Sequence, residues 1–144
     1  MGGYLVMANG SNPMRWDCNK GGPGANCFNI KRRPKIEVFC DCFPGNISFG
    51  DVDGIVEING RGLMLEWKTD TNKPQTGQRI MYERLTKTEL ITVLLVVGNA
   101  ETMEVSKMGT FFKGKQSALK NADLNAVKSR IKRWVTWAKQ QRNQ

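Results

Sequence analysis

Apolar and polar positions alternate along this chain in patterns that name most of its elements. Residues 90–97 (LITVLLVV) form an almost continuous apolar run, which predicts a central strand covered on both faces. Residues 47–58 are rich in β-branched residues and Gly, and residues 63–69 alternate apolar and polar towards their end. Between these two segments stands Asn59-Gly60-Arg61-Gly62, a tight-turn signature, so they are expected to pair as an antiparallel hairpin. Residues 102–112 predict a further strand at a sheet edge. A helix is expected to start after Pro74 and Thr76 and to run through Gln78, Tyr82 and Leu85. Another is expected from Asn121 onward, where Leu124, Val127, Ile131, Trp134, Val135 and Ala138 form one apolar stripe behind a cap at Asn121 or Asp123. Residues 34–42 (PKIEVFCDC) read two ways. Pro is favoured at the first helical position, while the β-branched and aromatic content favours a strand.

The polar positions of the hairpin carry candidate chemistry. Side chains on a strand repeat every two residues, so Asp51 and Asp53 share one face, as do Glu66 and Lys68. If register brings those faces together, three carboxylates and one ammonium converge beside the sheet. Charges on strands are commonly a solvated face with cross-strand ion pairs. Here Ile55, Val56, Leu63 and Leu65 mark the hairpin as core, and carboxylates opening a core strand repel one another unless a cation gathers them.

Charge and composition narrow the field. A formal charge of +9 over 144 residues suits a polyanionic partner. The chain has no His, which removes the His-dependent nucleases, the Ser-His-Asp and Cys-His hydrolases and His-ligated metal sites. No apolar run approaches membrane-spanning length, and residues 1–8 lack the length and basic start of a secretory signal, so a cytoplasmic protein is expected. Of its four cysteines, Cys18 and Cys27 flank the Gly-rich stretch 21–24 and Cys40 and Cys42 follow. Four thiols without His are either a tetrahedral zinc set or ordinary reduced thiols. Lys31, Arg32 and Arg33 form a basic run. Lys128, Arg130, Lys132, Arg133 and Lys139 give the last helix a basic side with Trp137 at its rim. Each of these is either solvated surface or a nucleic-acid contact in which Trp137 stacks on a base.

Asp53, the hairpin and Glu66-Trp67-Lys68 together resemble the signature of the PD-(D/E)XK nuclease superfamily: an acidic residue, a hairpin, then Glu-X-Lys. Gln78-Arg79-Ile80-Met81-Tyr82 is similar to the Gln-X-X-X-Tyr motif of RecB-type exonucleases, a resemblance that adds an iron–sulfur cluster as a third reading of the cysteines, although in those relatives the cysteines bracket the core and here they precede it. The resemblance covers about a third of the chain, residues 50–98, and departs from the family's name in having Val52 before Asp53. It implies an α/β, restriction-endonuclease-like core: a mixed central sheet flanked by helices, in the order helix, three strands, helix, strand. One nuclease domain over residues 1–144 is expected, with a Cys-containing extension (1–33), a core (34–112) and a basic helical segment (113–144). The resemblance further implies magnesium or manganese held by Asp53, Glu66 and the backbone carbonyl of Trp67, with Asp51 or Glu37 favouring a second ion. Lys68 would assist the attacking water, Gln78 would position the water, Lys68 or the phosphate, and Tyr82 would support the site or contact the nucleic acid. The expected activity is metal-dependent hydrolysis of DNA phosphodiester bonds by a stand-alone or phage-type enzyme, in the host cytoplasm if phage-encoded, acting as an oligomer or with protein partners. The alternative is a non-catalytic nucleic-acid-binding protein that keeps the fold.

Overall fold

The computed structural model describes residues 34–69 and 76–142. The chain divides into two compact units, Met1–Gly50 and Asp51–Gln144. In the first unit, the segment that read as helix or strand is a 3-10 helix, Ile36–Cys42, with no buried residue. The Phe49 ring meets Phe39 and Phe43 edge-on, at centroid distances of 6.0 and 5.2 Å. Glu37, Cys40 and Cys42 all lie on this helix, in the unit that precedes the sheet.

The second unit is a mixed α/β structure. In chain order it contains β1 (Gly54–Ile58), β2 (Arg61–Lys68), α1 (Thr76–Leu85), β3 (Ile91–Asn99), β4 (Glu104–Phe112), β5 (Lys115–Gln116), β6 (Lys120–Asn121) and α2 (Leu124–Lys139). The six strands form one sheet in the order β1-β2-β3-β4-β5, with β6 also on β4. β2 and β3 are parallel, joined through α1; the other pairs are antiparallel. Two strands, rather than three, precede α1 among the described residues. Among those residues no helix is long and apolar enough to cross a membrane.

The hairpin forms as its turn chemistry requires. Asn59 and Gly60 both take positive φ, 52° and 79°, the two-residue turn whose twist matches the strands it joins, and Ile58 then faces Arg61. The Asn59 side-chain amide also donates to the carbonyls of Ala138, Lys139 and Gln141, tying the turn to the end of α2. One expectation fails here. Ile55 and Val56 are 65% and 47% exposed, because β1 has a single strand neighbour among the described residues; Ile58, at its other end, packs against the α2 layer, and of the hairpin's core markers Leu63 is buried and Leu65 half-buried. β4, expected at an edge, instead carries β5 and β6 on its outer side.

Residue parity sorts the core into two layers. Leu63, Leu65 and Trp67 of β2, with Leu94 and Val96 of β3, pack against Val127, Trp134 and Ala138 of α2. Met64 of β2 and Ile91, Val93 and Leu95 of β3 point the other way, towards Tyr82 of α1 and Phe111 of β4. β3 supplies buried side chains to both layers, which is why its sequence is a continuous apolar run. Asp123 caps α2, its carboxylate accepting the Ala126 amide at 2.8 Å.

Candidate active site

The parity that sends Leu63, Leu65 and Trp67 to α2 sends Glu66 and Lys68 to the α1 face. Two residues of strand advance about 6.6 Å and four residues of helix about 6 Å. An i, i+2 pair on β2 therefore matches an i, i+4 pair on α1, and the side chains meet in register. The Tyr82 hydroxyl donates to the Glu66 carboxylate. The Lys68 ammonium donates to the Gln78 side-chain oxygen at 2.9 Å. Asp53 joins from the bend that leads into β1. Gly54 faces Leu65, so Asp53 comes level with Glu66, and its Oδ2 accepts the Trp67 amide at 2.7 Å. Asp53, Glu66, Lys68, Gln78 and Tyr82 are thus brought together at one corner of the sheet.

Electrostatics sets Glu66 apart. Burial raises its pKa above the usual 4.5, and the charge and hydrogen bond of the neighbouring Asp53 raise it further, against the lowering effects of the Tyr82 hydrogen bond and the Lys68 charge. Tyr82 is pushed upward by burial, by its bond to Glu66 and by the negative charges of Glu66 and Asp53, so the phenol stays a proton donor. Two carboxylates face each other here with more negative charge than Lys68 offsets.

The supports of this corner were not legible from motif or spacing. Tyr82 is 3% exposed, its ring packed 5.2 Å from that of Phe111. Thr86, buried one turn later, donates its hydroxyl to the Tyr82 carbonyl at 2.7 Å and accepts the Gly114 amide at 3.1 Å, which fastens α1 to the turn after β4. On the far face the Trp67 indole donates to the Gly98 carbonyl at 3.0 Å. Gly98 sits where the β3–β4 register shifts, and a Cβ there would run into the Glu104 carbonyl.

Asp51 is exposed at the head of the second unit, and Glu37 belongs to the first. The side chains of Asp53 and Glu66 make a pair; among the described residues no group of three or more His, Cys, Asp or Glu side chains is gathered for a metal ion. For Trp67 the observed link to Asp53 is through its amide, not its carbonyl. Cys40 and Cys42 are exposed free thiols, while Cys18 and Cys27 lie outside the described residues, as do Lys31, Arg32 and Arg33. Lys128 and Arg133 are exposed on α2 and Arg130 is half-buried, its pKa lowered by burial and by the adjacent Arg133 charge. α2 covers the face opposite Glu66 and Lys68, so its basic residues stand across the sheet from the corner. Trp137 is half-buried and packed edge-on against Phe112, at 5.6 Å and 86°.

Comparison with protein-family models, with curated proteins and with solved structures finds no match to this chain.

Proposed function

We propose that the chain is a metal-dependent deoxyribonuclease with a restriction-endonuclease-like core, its active site the corner formed by Asp53, Glu66, Lys68, Gln78 and Tyr82. The observation that carries this reading is the double link between α1 and β2. Tyr82 holds Glu66 while Gln78 holds Lys68, so an acid and an amine are oriented side by side, with Asp53 opposite. A structural ion pair needs none of this machinery.

The donor set fits a hard divalent cation. Magnesium is commonly held by one or two carboxylates, with water and substrate phosphate completing its shell. Asp53 and Glu66 supply those two carboxylates, and the upward pressure on Glu66 is what a bound cation would relieve. When bound, magnesium or manganese would neutralise charge on the phosphoryl oxygens and acidify a water. Lys68 would donate to the attacking water or to the developing negative charge, with its ammonium held in line by Gln78. Tyr82 would keep one Glu66 oxygen occupied and so aim the other at the ion. Zinc at Cys18, Cys27, Cys40 and Cys42 is a separate proposal, checked by metal analysis of the purified protein.

The test is cleavage of labelled linear, nicked and branched DNA with magnesium or manganese. Lys68→Ala and Glu66→Ala are each expected to lower the rate by on the order of 100-fold or more without unfolding the protein. Full activity in either variant overturns the assignment. Wild-type protein that binds these DNAs and cuts none of them is instead the non-catalytic binder.

A further inference from the structure

Register across the sheet reveals a basic residue on the site's own face that motif and spacing do not mark. Lys68 of β2 faces Val97 of β3, and Val97 faces Lys107 of β4. Residues directly opposite one another point to the same side of a sheet. Glu66, Leu95 and Gly109 form the next row on that side, so Lys107 projects from the face that carries Glu66 and Lys68. Neighbouring strands lie about 4.8 Å apart, which sets the two lysine backbones roughly 10 Å apart with Val97 between them.

Several features hold Lys107 in that place. The register shift between Val97 and Gly98 falls immediately beyond the Val97–Lys107 pair, and bulges commonly re-aim side chains beside functional sites. Gly98 is required there by the closeness of the Glu104 backbone. The Ser106 hydroxyl donates to the Val97 carbonyl at 3.2 Å, pinning the residue before Lys107. Lys107 is half-buried, and its partner on β6 is the neutral Asn121. Among the described residues no carboxylate pairs with it: Glu83 is taken by Arg79 and Glu89 by Lys113. A half-buried lysine on β4, in one row with Lys68 and with no carboxylate paired to it among the described residues, is suited to an anion supplied from outside.

We infer that Lys107 binds a backbone phosphate of the nucleic acid near the one attacked beside Lys68, so that the substrate strand crosses β2, β3 and β4 rather than running along β2. The inference rests on the nuclease reading of the corner. Charges recur about every 3.4 Å of axis along a nucleic-acid strand, so a separation of roughly 10 Å is bridged within a few nucleotides. Lys107 is a substrate-binding residue; the reacting atoms stay with Asp53, Glu66 and Lys68.

The experiment pairs steady-state cleavage of a labelled DNA oligonucleotide with the salt dependence of its binding in magnesium-free buffer, for wild type, Lys107→Gln and Lys107→Arg. Lys107→Gln is expected to raise KM several-fold with kcat nearly unchanged. It should also lower the slope of log affinity against log salt by about 1. Lys107→Arg should restore both. If wild type cuts DNA while Lys107→Gln keeps its KM and salt slope, Lys107 is not a phosphate contact and the nuclease reading stands. If wild type binds but does not cut, the nuclease reading falls and the salt slopes alone decide for or against Lys107. Wild type that neither binds nor cuts overturns both. Loss of folding in both Lys107→Gln and Lys107→Ala marks the residue as structural and overturns the inference as well.

Discussion

The two faces of the sheet are made from alternate residues of the same strands, yet they are finished in different materials. On one, the four-turn helix α2 is capped by Asp123 and lays Val127, Trp134 and Ala138 against Leu63, Leu94 and Val96. On the other, the ten-residue helix α1 buries Tyr82 and otherwise meets β2 through hydrogen bonds from Tyr82 to Glu66 and from Lys68 to Gln78. Ile80, Met81 and Leu85 of α1 are left exposed. One face gains stability from apolar area removed from water. The other gives up part of that gain to keep two carboxylates and an amine in a fixed arrangement. Division of labour between the faces lets the polar corner be strained without threatening the fold, since proteins tolerate locally unfavourable sites when the rest of the core is secure.

That contrast can be broken most forcefully from the α2 side. Trp134→Ala empties the centre of the apolar layer and is expected to cost about 3–5 kcal/mol, read by chemical denaturation. A cost below about 1 kcal/mol would mean that α2 is not the face that secures the fold. Next comes Tyr82→Phe, which keeps the ring on Phe111 and removes the hydroxyl from Glu66. Loss of a hydrogen bond to a charged acceptor is expected to cost about 1.5–3 kcal/mol, and cleavage should fall together with stability. An unchanged cleavage rate would separate Tyr82 from the chemistry. Asp123→Ala should cost about 1 kcal/mol through the lost cap, with no change in KM for DNA.

The smallest effect has the opposite sign. The Glu66 pKa is raised in the folded protein, mainly by burial, so the native state binds that proton more tightly than the unfolded chain does. Its contribution to stability is full below the unfolded value near 4.5 and is lost as pH rises through the higher folded value. Glu66→Gln removes the ionisation. In metal-free buffer the variant is therefore expected to gain Tm relative to wild type as pH is taken from 4 to 8, while losing cleavage altogether. Added magnesium should raise the Tm of wild type and leave that of the variant unmoved. A constant Tm difference across that pH range would show that the corner carries no strained carboxylate.

Much of this could be read from residue order because the interactions are local. Asn59-Gly60 specifies its turn through positive φ, LITVLLVV specifies a strand buried on both faces, and the stripe from Leu124 to Ala138 specifies α2. Parity then put Glu66 and Lys68 on one face, and the spacing of Gln78 and Tyr82 put them on one side of a helix. Exposure was not legible in the same way. Ile55 and Val56 look like core residues in any local window, and they are exposed because β1 pairs with β2 alone among the described residues. The basic residues of α2 and the lysine at 107 posed the converse problem, since whether a charge shares the site's face depends on which strand lies next to which.

The sequence by itself therefore determined the longer elements of the second unit, the face each side chain takes within its own strand or helix, and the candidate pair Glu66 and Lys68. Only the tertiary structure decided which faces meet: α1 over the polar corner, α2 on the opposite side, and Lys107 one strand beyond Val97 in the row of Lys68. The reason is physical. Backbone dihedrals and side-chain period are set by near neighbours in the chain, whereas strand order and register are set by burying apolar area between segments far apart in it.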